Sequence, residues 1–290
     1  MNPPLHGIHV PATRPRQRGM SLIELMIGLF LGLLVIGVAL GVLMASRSVS
    51  GTVSDASQLQ QQASHLFRVM GRQLRQAGSL RLLLASQKDP TQPVDILDPV
   101  ALEAQAQDFV PASDTIRGLD TPGTNEFKLT VGYSNYTEPL HLAGGAASLQ
   151  RNCLGQASSS TLIQSHFALD ASGNTLRCAG VAAGSGRQPI AENVADFQVR
   201  YLLQTPNGAN GADLQFVNAA DVEANWPRVH GAEVCLVLFG TEVTDMPDDS
   251  TYTDCNGTAT KMSTLPAPRT RRLHMLFRSM YQLRGQGMAG

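Results

Sequence analysis

The sequence predicts an α+β protein: one long N-terminal helix, membrane-spanning in its first half, packed on a head built around an antiparallel β-sheet. Three observations carry that expectation. The 21 residues from Leu25 to Ala45 hold no charge; at 1.5 Å rise they make roughly 31 Å of helix, enough to cross a bilayer core. No proline occurs between Pro15 and Pro90, so one helix can run from about Met20 to Ala77. Beyond it, short segments alternate apolar and polar residues with the period of a strand.

The first 19 residues carry Arg14, Arg16 and Arg18, two histidines and no acid. Three readings of this leader compete. A cleaved secretory signal needs a shorter apolar core and small residues before the cut, and no A-x-A pattern surrounds Ala45. A plain signal anchor fits the length and puts the arginines in the cytoplasm. It leaves Glu24 unexplained, a carboxylate just inside the apolar run that costs about 2–3 kcal/mol to insert.

The third reading rests on a resemblance. Gly19 followed by Met20-Ser21-Leu22-Ile23-Glu24 resembles the type IV prepilin processing site. The resemblance implies cleavage by prepilin peptidase between Gly19 and Met20, then N-methylation of the new amine on Met20. It also implies that Glu24 is the glutamate the family carries five residues into the mature chain. The family prefers phenylalanine where this chain has Met20, itself a large apolar residue. A free amine at Met20 is a cation about one helical turn from Glu24, and neighbouring subunits bring more. In a low-dielectric filament that attraction is worth several kcal/mol, though desolvation takes much of it back. Glu24 is therefore expected to be an assembly contact. The alternative is a glutamate that snorkels to the headgroups.

After Ala45 the helix pattern changes to a stripe. Val49, Val53, Ala56, Leu59, Ala63, Leu66, Met70, Leu74 and Ala77 recur at steps of three and four, which predicts one buried face. Gly78 is the expected C-cap. Gly28/Gly32 and Gly37/Gly41 form G-x-x-x-G pairs, read equally well as packing faces or as glycines tolerated in a membrane helix. Residues 79–125 read as an irregular connection with a short helix. Phe127, Leu129, Val131 and Tyr133 alternate with polar or small residues, as do Phe197, Val199 and Tyr201; Glu233 to Phe239 suits a buried strand. Leu273, Met275, Phe277 and Tyr281 close the pattern, and PNGANG from Pro206 is a turn. The expected organisation is a leader over 1–19, a membrane and assembly segment over 20–45, an amphipathic helix over 46–78 and a globular head over 79–290.

Charge is uneven along the chain. Without the leader's arginines the net charge falls from −1 to −4; residues 47–81 carry five arginines against Asp55, and residues 82–290 sum to −7. An acidic head argues against nucleic acid as its partner, because phosphate binding needs a basic face. A basic stem and an acidic head would let staggered subunits attract one another, or are ordinary solvated charges.

Cys153, Cys178, Cys235 and Cys255 all lie beyond the apolar run. An even count in an oxidising compartment favours two disulfides. Of the three connectivities, proximity favours Cys153–Cys178 and Cys235–Cys255, each worth about 3 kcal/mol in the chain-entropy model. No C-x-x-C suggests zinc, and no cofactor is expected. Asp245, Asp248, Asp249 and Asp254 lack EF-hand spacing, so a solvated loop is favoured over a calcium site. Gly184-Ser185-Gly186 reads as a turn, and His166 and His274 as fold residues. No nucleophile elbow or H-E-x-x-H occurs, so a membrane-anchored periplasmic enzyme is only a distant alternative.

Further along, Gln61 to Leu80 resembles the helix end of PilW-type minor pilins, and Asp196–Leu202, Trp226–Phe239 and Arg271–Arg284 resemble that family's later blocks. The resemblance implies a structural minor pilin that helps prime pilus assembly, at or near the fibre tip. Its expected partners are prepilin peptidase, other minor and major pilins, the inner-membrane assembly platform, and membrane lipid before assembly. Its expected location is a single-pass inner-membrane protein with a periplasmic head, and afterwards the pilus. A minor pseudopilin of type II secretion is the nearest alternative.

Overall fold

A computed structural model describes residues 19–84, 102–105, 108–140, 145–180, 186–206 and 212–283. The leader up to Arg18, most of the PNGANG turn, Gly184-Ser185, Arg284 and part of the 79–125 connection lie outside these residues. The chain divides into two units, residues 1–50 and 51–290.

Helix α1 spans Leu22–Gln76 and so contributes to both units. It ends where the sequence places its cap: Gly78 has φ of +73°, a left-handed conformation that glycine adopts without Cβ strain. Its N–H donates to the carbonyl of Gly132 at 2.9 Å, tying the helix end to a strand.

The second unit continues with β1 (Arg81–Leu84), β2 (Leu102–Gln105), the one-turn helix α2 (Pro111–Asp114) and β3 (Ile116–Gly118). Then come β4 (Leu129–Ser134), β5 (Glu138–Pro139), β6 (Ala146–Ala147), β7 (Leu162–Asp170), β8 (Thr175–Ala179) and β9 (Gln188–Ala191). The last stretch holds β10 (Val194–Pro206), β11 (Ala212–Val217), α3 (Ala219–Val222), β12 (Val229–Val243), β13 (Thr251–Thr253), β14 (Ala259–Lys261) and β15 (Arg272–Gln282). Where the sequence predicts one antiparallel sheet, the head has two principal ones. One runs β3-β4-β7-β8-β9 and the other β11-β10-β12-β15, every neighbouring pair antiparallel.

Both sheets share a core with α1. Leu59, Ala63, Leu66, Met70, Leu74 and Ala77 meet Leu129 and Val131 of β4, Phe167 of β7, and Phe197, Val199 and Tyr201 of β10. The stripe is correct from Leu59 onward and fails at Val53, which is 64 % exposed. At that level the helix buries Asp55 instead. Its carboxylate accepts from the Thr241 hydroxyl at 3.1 Å and the Glu242 N–H at 3.0 Å, so the burial cost is offset by paired donors. Gly240 makes room for it: a Cβ there would lie 2.2 Å from Asp55 Oδ2.

Strand β12 is apolar on both faces because it is covered on both. Val234, Leu236 and Leu238 face the shared core. Cys235 and Val237 pack with Cys255, Tyr252 and Leu276 on the other side, beneath the β13–β14 hairpin. Successive side chains of a strand point to opposite faces, so a sheet covered on both faces yields the dense run Glu233–Phe239 rather than an alternation.

Candidate functional site

The chemistry the sequence singles out begins at the N-terminal segment. Gly19, Met20 and Ser21 are non-helical, and the helix starts at Leu22. The Leu25 N–H donates to the Ser21 carbonyl at 3.1 Å, which puts Ser21 at the N-cap and Glu24 three residues into the first turn. Ser-x-x-Glu is a capping-box pattern, and a carboxylate there complements the positive end of the helix dipole. Leu22–Met44 is long and apolar enough to cross a membrane, and none of it is buried within the structure. From Met20 to Met44 the large apolar side chains are 48–77 % exposed. A Cβ added at Gly28, Gly32, Gly37 or Gly41 would meet nothing within 4 Å, so these positions offer smooth helix surface.

The cysteines form two pairs, Cys153–Cys178 and Cys235–Cys255, closing loops of 25 and 20 residues. The first ties the 150s loop to β8 in the shared core, and the second fastens the β13–β14 hairpin over β12.

Polar side chains hold α1 to the head. Gln73 is buried: its amide donates to the Arg151 carbonyl at 3.2 Å, and its oxygen accepts from the Ser165 hydroxyl at 2.9 Å. The Tyr133 hydroxyl donates into the same group, 2.6 Å from the Arg151 carbonyl and 3.0 Å from Gln73 Oε1. Burial pushes the Tyr133 phenol up to about 12. Tyr281 packs against Gly71, where a Cβ would lie 2.4 Å from its ring, and donates to the Phe67 carbonyl at 2.9 Å. Lys128, read from sequence as the polar side of a strand, is buried. Its ammonium donates to the Asp120 carbonyl, and desolvation lowers its pKa against the pull of Asp120 and Asp196.

Asp248 pairs with Arg271, and Asp254 accepts from the N–H groups of Asn256 and Thr258 at 2.9 and 2.8 Å. Among the described residues no group of three or more His, Cys, Asp or Glu could hold a metal.

His166 and His274 are buried against aromatic rings, His166 tilted on Phe127 and His274 stacked on Phe239 and Tyr252. Burial, with Arg187 beside the first and Arg269 near the second, lowers both to about 4. Both are neutral at pH 7 in the folded chain. Because their folded pKa lies below the unfolded value near 6.5, stability is full above 6.5 and is lost as pH falls from 6.5 toward 4. The loss is up to about 1.4 kcal/mol per pH unit per histidine. Thermal melting of the detergent-solubilised chain between pH 7.5 and 5 is expected to show this fall, with a shallower one in His166→Phe/His274→Phe. An equal slope in both would assign the acid sensitivity to other groups.

Comparison with known proteins gives two family matches. The prokaryotic N-terminal methylation motif matches residues 14–40, and the family described as type IV pilus-assembly protein W matches residues 160–285. Among solved structures, a type IV-like pilin from Thermus thermophilus is similar at 14 % identity, covering 79 % of this chain and 98 % of its own, with a TM-score of 0.39. No protein of curated function matches.

Proposed function

We propose that this chain, a type IV minor pilin of the PilW type, is a priming subunit of pilus assembly that is anchored in the inner membrane by Leu22–Met44 and later extracted into the fibre. Prepilin peptidase removes residues 1–19, and the amine of Met20 is then methylated. The head faces the periplasm, consistent with its two disulfides. Glu24 pairs with the N-terminal amine of a neighbouring subunit, and the exposed apolar face of Leu22–Met44 exchanges lipid for the helices of other pilins.

The observation that carries this reading is the coincidence of two independent matches in the expected order, the methylation motif at 14–40 and the PilW-type head at 160–285. The motif alone suits a pseudopilin of type II secretion equally well; the head match favours the pilus.

Quantifying the processed chain in sheared pili and in membranes tests the proposal. The expected result is a small amount in pili, and fewer pili when the gene is deleted. Normal piliation after deletion, with the chain found only in secretion complexes, would overturn it.

A further inference from the structure

From Leu59 onward helix α1 buries one face in the head and presents the other to solvent. On that outer face His65, Arg68, Arg72 and Arg75 follow one another at steps of three and four and are all exposed. At 3.6 residues per turn such spacing aligns them in one row. No acid shares it, since between Arg47 and Arg81 the single acid is Asp55, which is buried and bonded to β12. Among the described residues no ion pair involves Arg68, Arg72 or Arg75. The Arg75 guanidinium lies 6.0 Å from the centroid of the Tyr281 ring. Three aligned guanidinium groups with no ion pair among the described residues make a strongly basic strip on the helix.

We propose that this row is a docking strip for the acidic head of a neighbouring pilin subunit. The inference rests on the minor-pilin reading, which brings subunit heads against one another's helices. Charge complementarity identifies the occupant. In this chain residues 82–290 sum to −7, with Asp221, Glu223, Glu242, Asp245, Asp248 and Asp249 exposed. A head of that character meets the strip with opposite sign, steering approach and fixing register more than adding raw affinity. The guanidinium forks add bidentate geometry toward carboxylates. Anionic lipid is the competing occupant.

The test uses the full chain solubilised in mild detergent from piliated cells, with the other pilins of those cells as the probe. The wild-type chain is expected to co-purify with them, with recovery falling as salt rises from 50 to 500 mM. Arg68→Gln/Arg72→Gln/Arg75→Gln should lower low-salt recovery roughly tenfold, to the level of wild type at high salt. Arg68→Lys/Arg72→Lys/Arg75→Lys keeps the charge and should recover most of the binding. Resistance of the head to protease confirms folding in each variant. Unchanged recovery with the glutamine variant overturns the inference, as does a loss with lysine as large as with glutamine. A glutamine variant that keeps its pilins but loses affinity for phosphatidylglycerol vesicles assigns the strip to lipid and also overturns it. Absence of the wild-type chain from pili would instead defeat the minor-pilin reading itself.

Discussion

Glu24→Ala is expected to be cleaved and inserted like the wild-type chain, yet to fall at least about tenfold in sheared pili relative to membranes. A charge-assisted contact of this kind contributes about 1.5–3 kcal/mol, and about 1.4 kcal/mol is tenfold in an equilibrium. Insertion should be no worse, because removing the carboxylate removes a cost of about 2–3 kcal/mol. Glu24 is also the third helical residue, the last of a Ser-x-x-Glu cap, so loss of capping must be separated from loss of charge. Glu24→Gln does that, since glutamine serves the capping box but carries no charge. If the contact is ionic, Glu24→Gln should fail as Glu24→Ala does, and Glu24→Asp should retain part of the function. Normal incorporation of Glu24→Gln would reduce the residue to a cap. Failure of cleavage would place its role in peptidase recognition.

The second large effect belongs to the other half of the helix. Leu66→Ala should destabilise the head by about 3 kcal/mol, because the side chain is fully buried and its removal leaves a cavity between α1 and the sheets. For a folding unit of this size that lowers Tm by roughly 6–12 °C. Val53→Ala, on the same sequence stripe but exposed, should shift it by less than about 2 °C. Calorimetry of both variants in detergent reads the difference. Similar shifts in both would mean that the burial of α1 extends N-terminal to Asp55.

That contrast also marks what the sequence can disclose. The spacing of Leu59, Ala63, Leu66, Met70 and Leu74 reveals a buried face because helical periodicity is local. The alternation of Phe197, Val199 and Tyr201 reveals a strand for the same reason. The methylation motif at residues 14–40 is legible because the leader charge, Gly19, Glu24 and the apolar run are contiguous. Asp55, Gln73 and Lys128 are not legible. Their types belong on surfaces, and burial becomes tolerable only through distant partners: Thr241 and Glu242 for Asp55, Arg151 and Ser165 for Gln73. The second sheet was obscured likewise. Strand β7, LIQSHFALD, carries Ser165 and His166 at buried positions, bonded to Gln73 and Thr130 respectively, so its pattern lacks a clean period of two. The charge of Arg68, Arg72 and Arg75 is visible in the sequence, but only the fold shows that they face outward and, among the described residues, make no ion pair.

The central claim, that the chain enters a filament pathway through processing at Gly19, is tested most directly by N-terminal mass spectrometry of the protein from its own membranes. The expected mature chain begins at Met20 with a methyl group on its amine, and Gly19→Arg retains the leader. A chain that keeps Met1, or one cut near Ala45, would contradict the account.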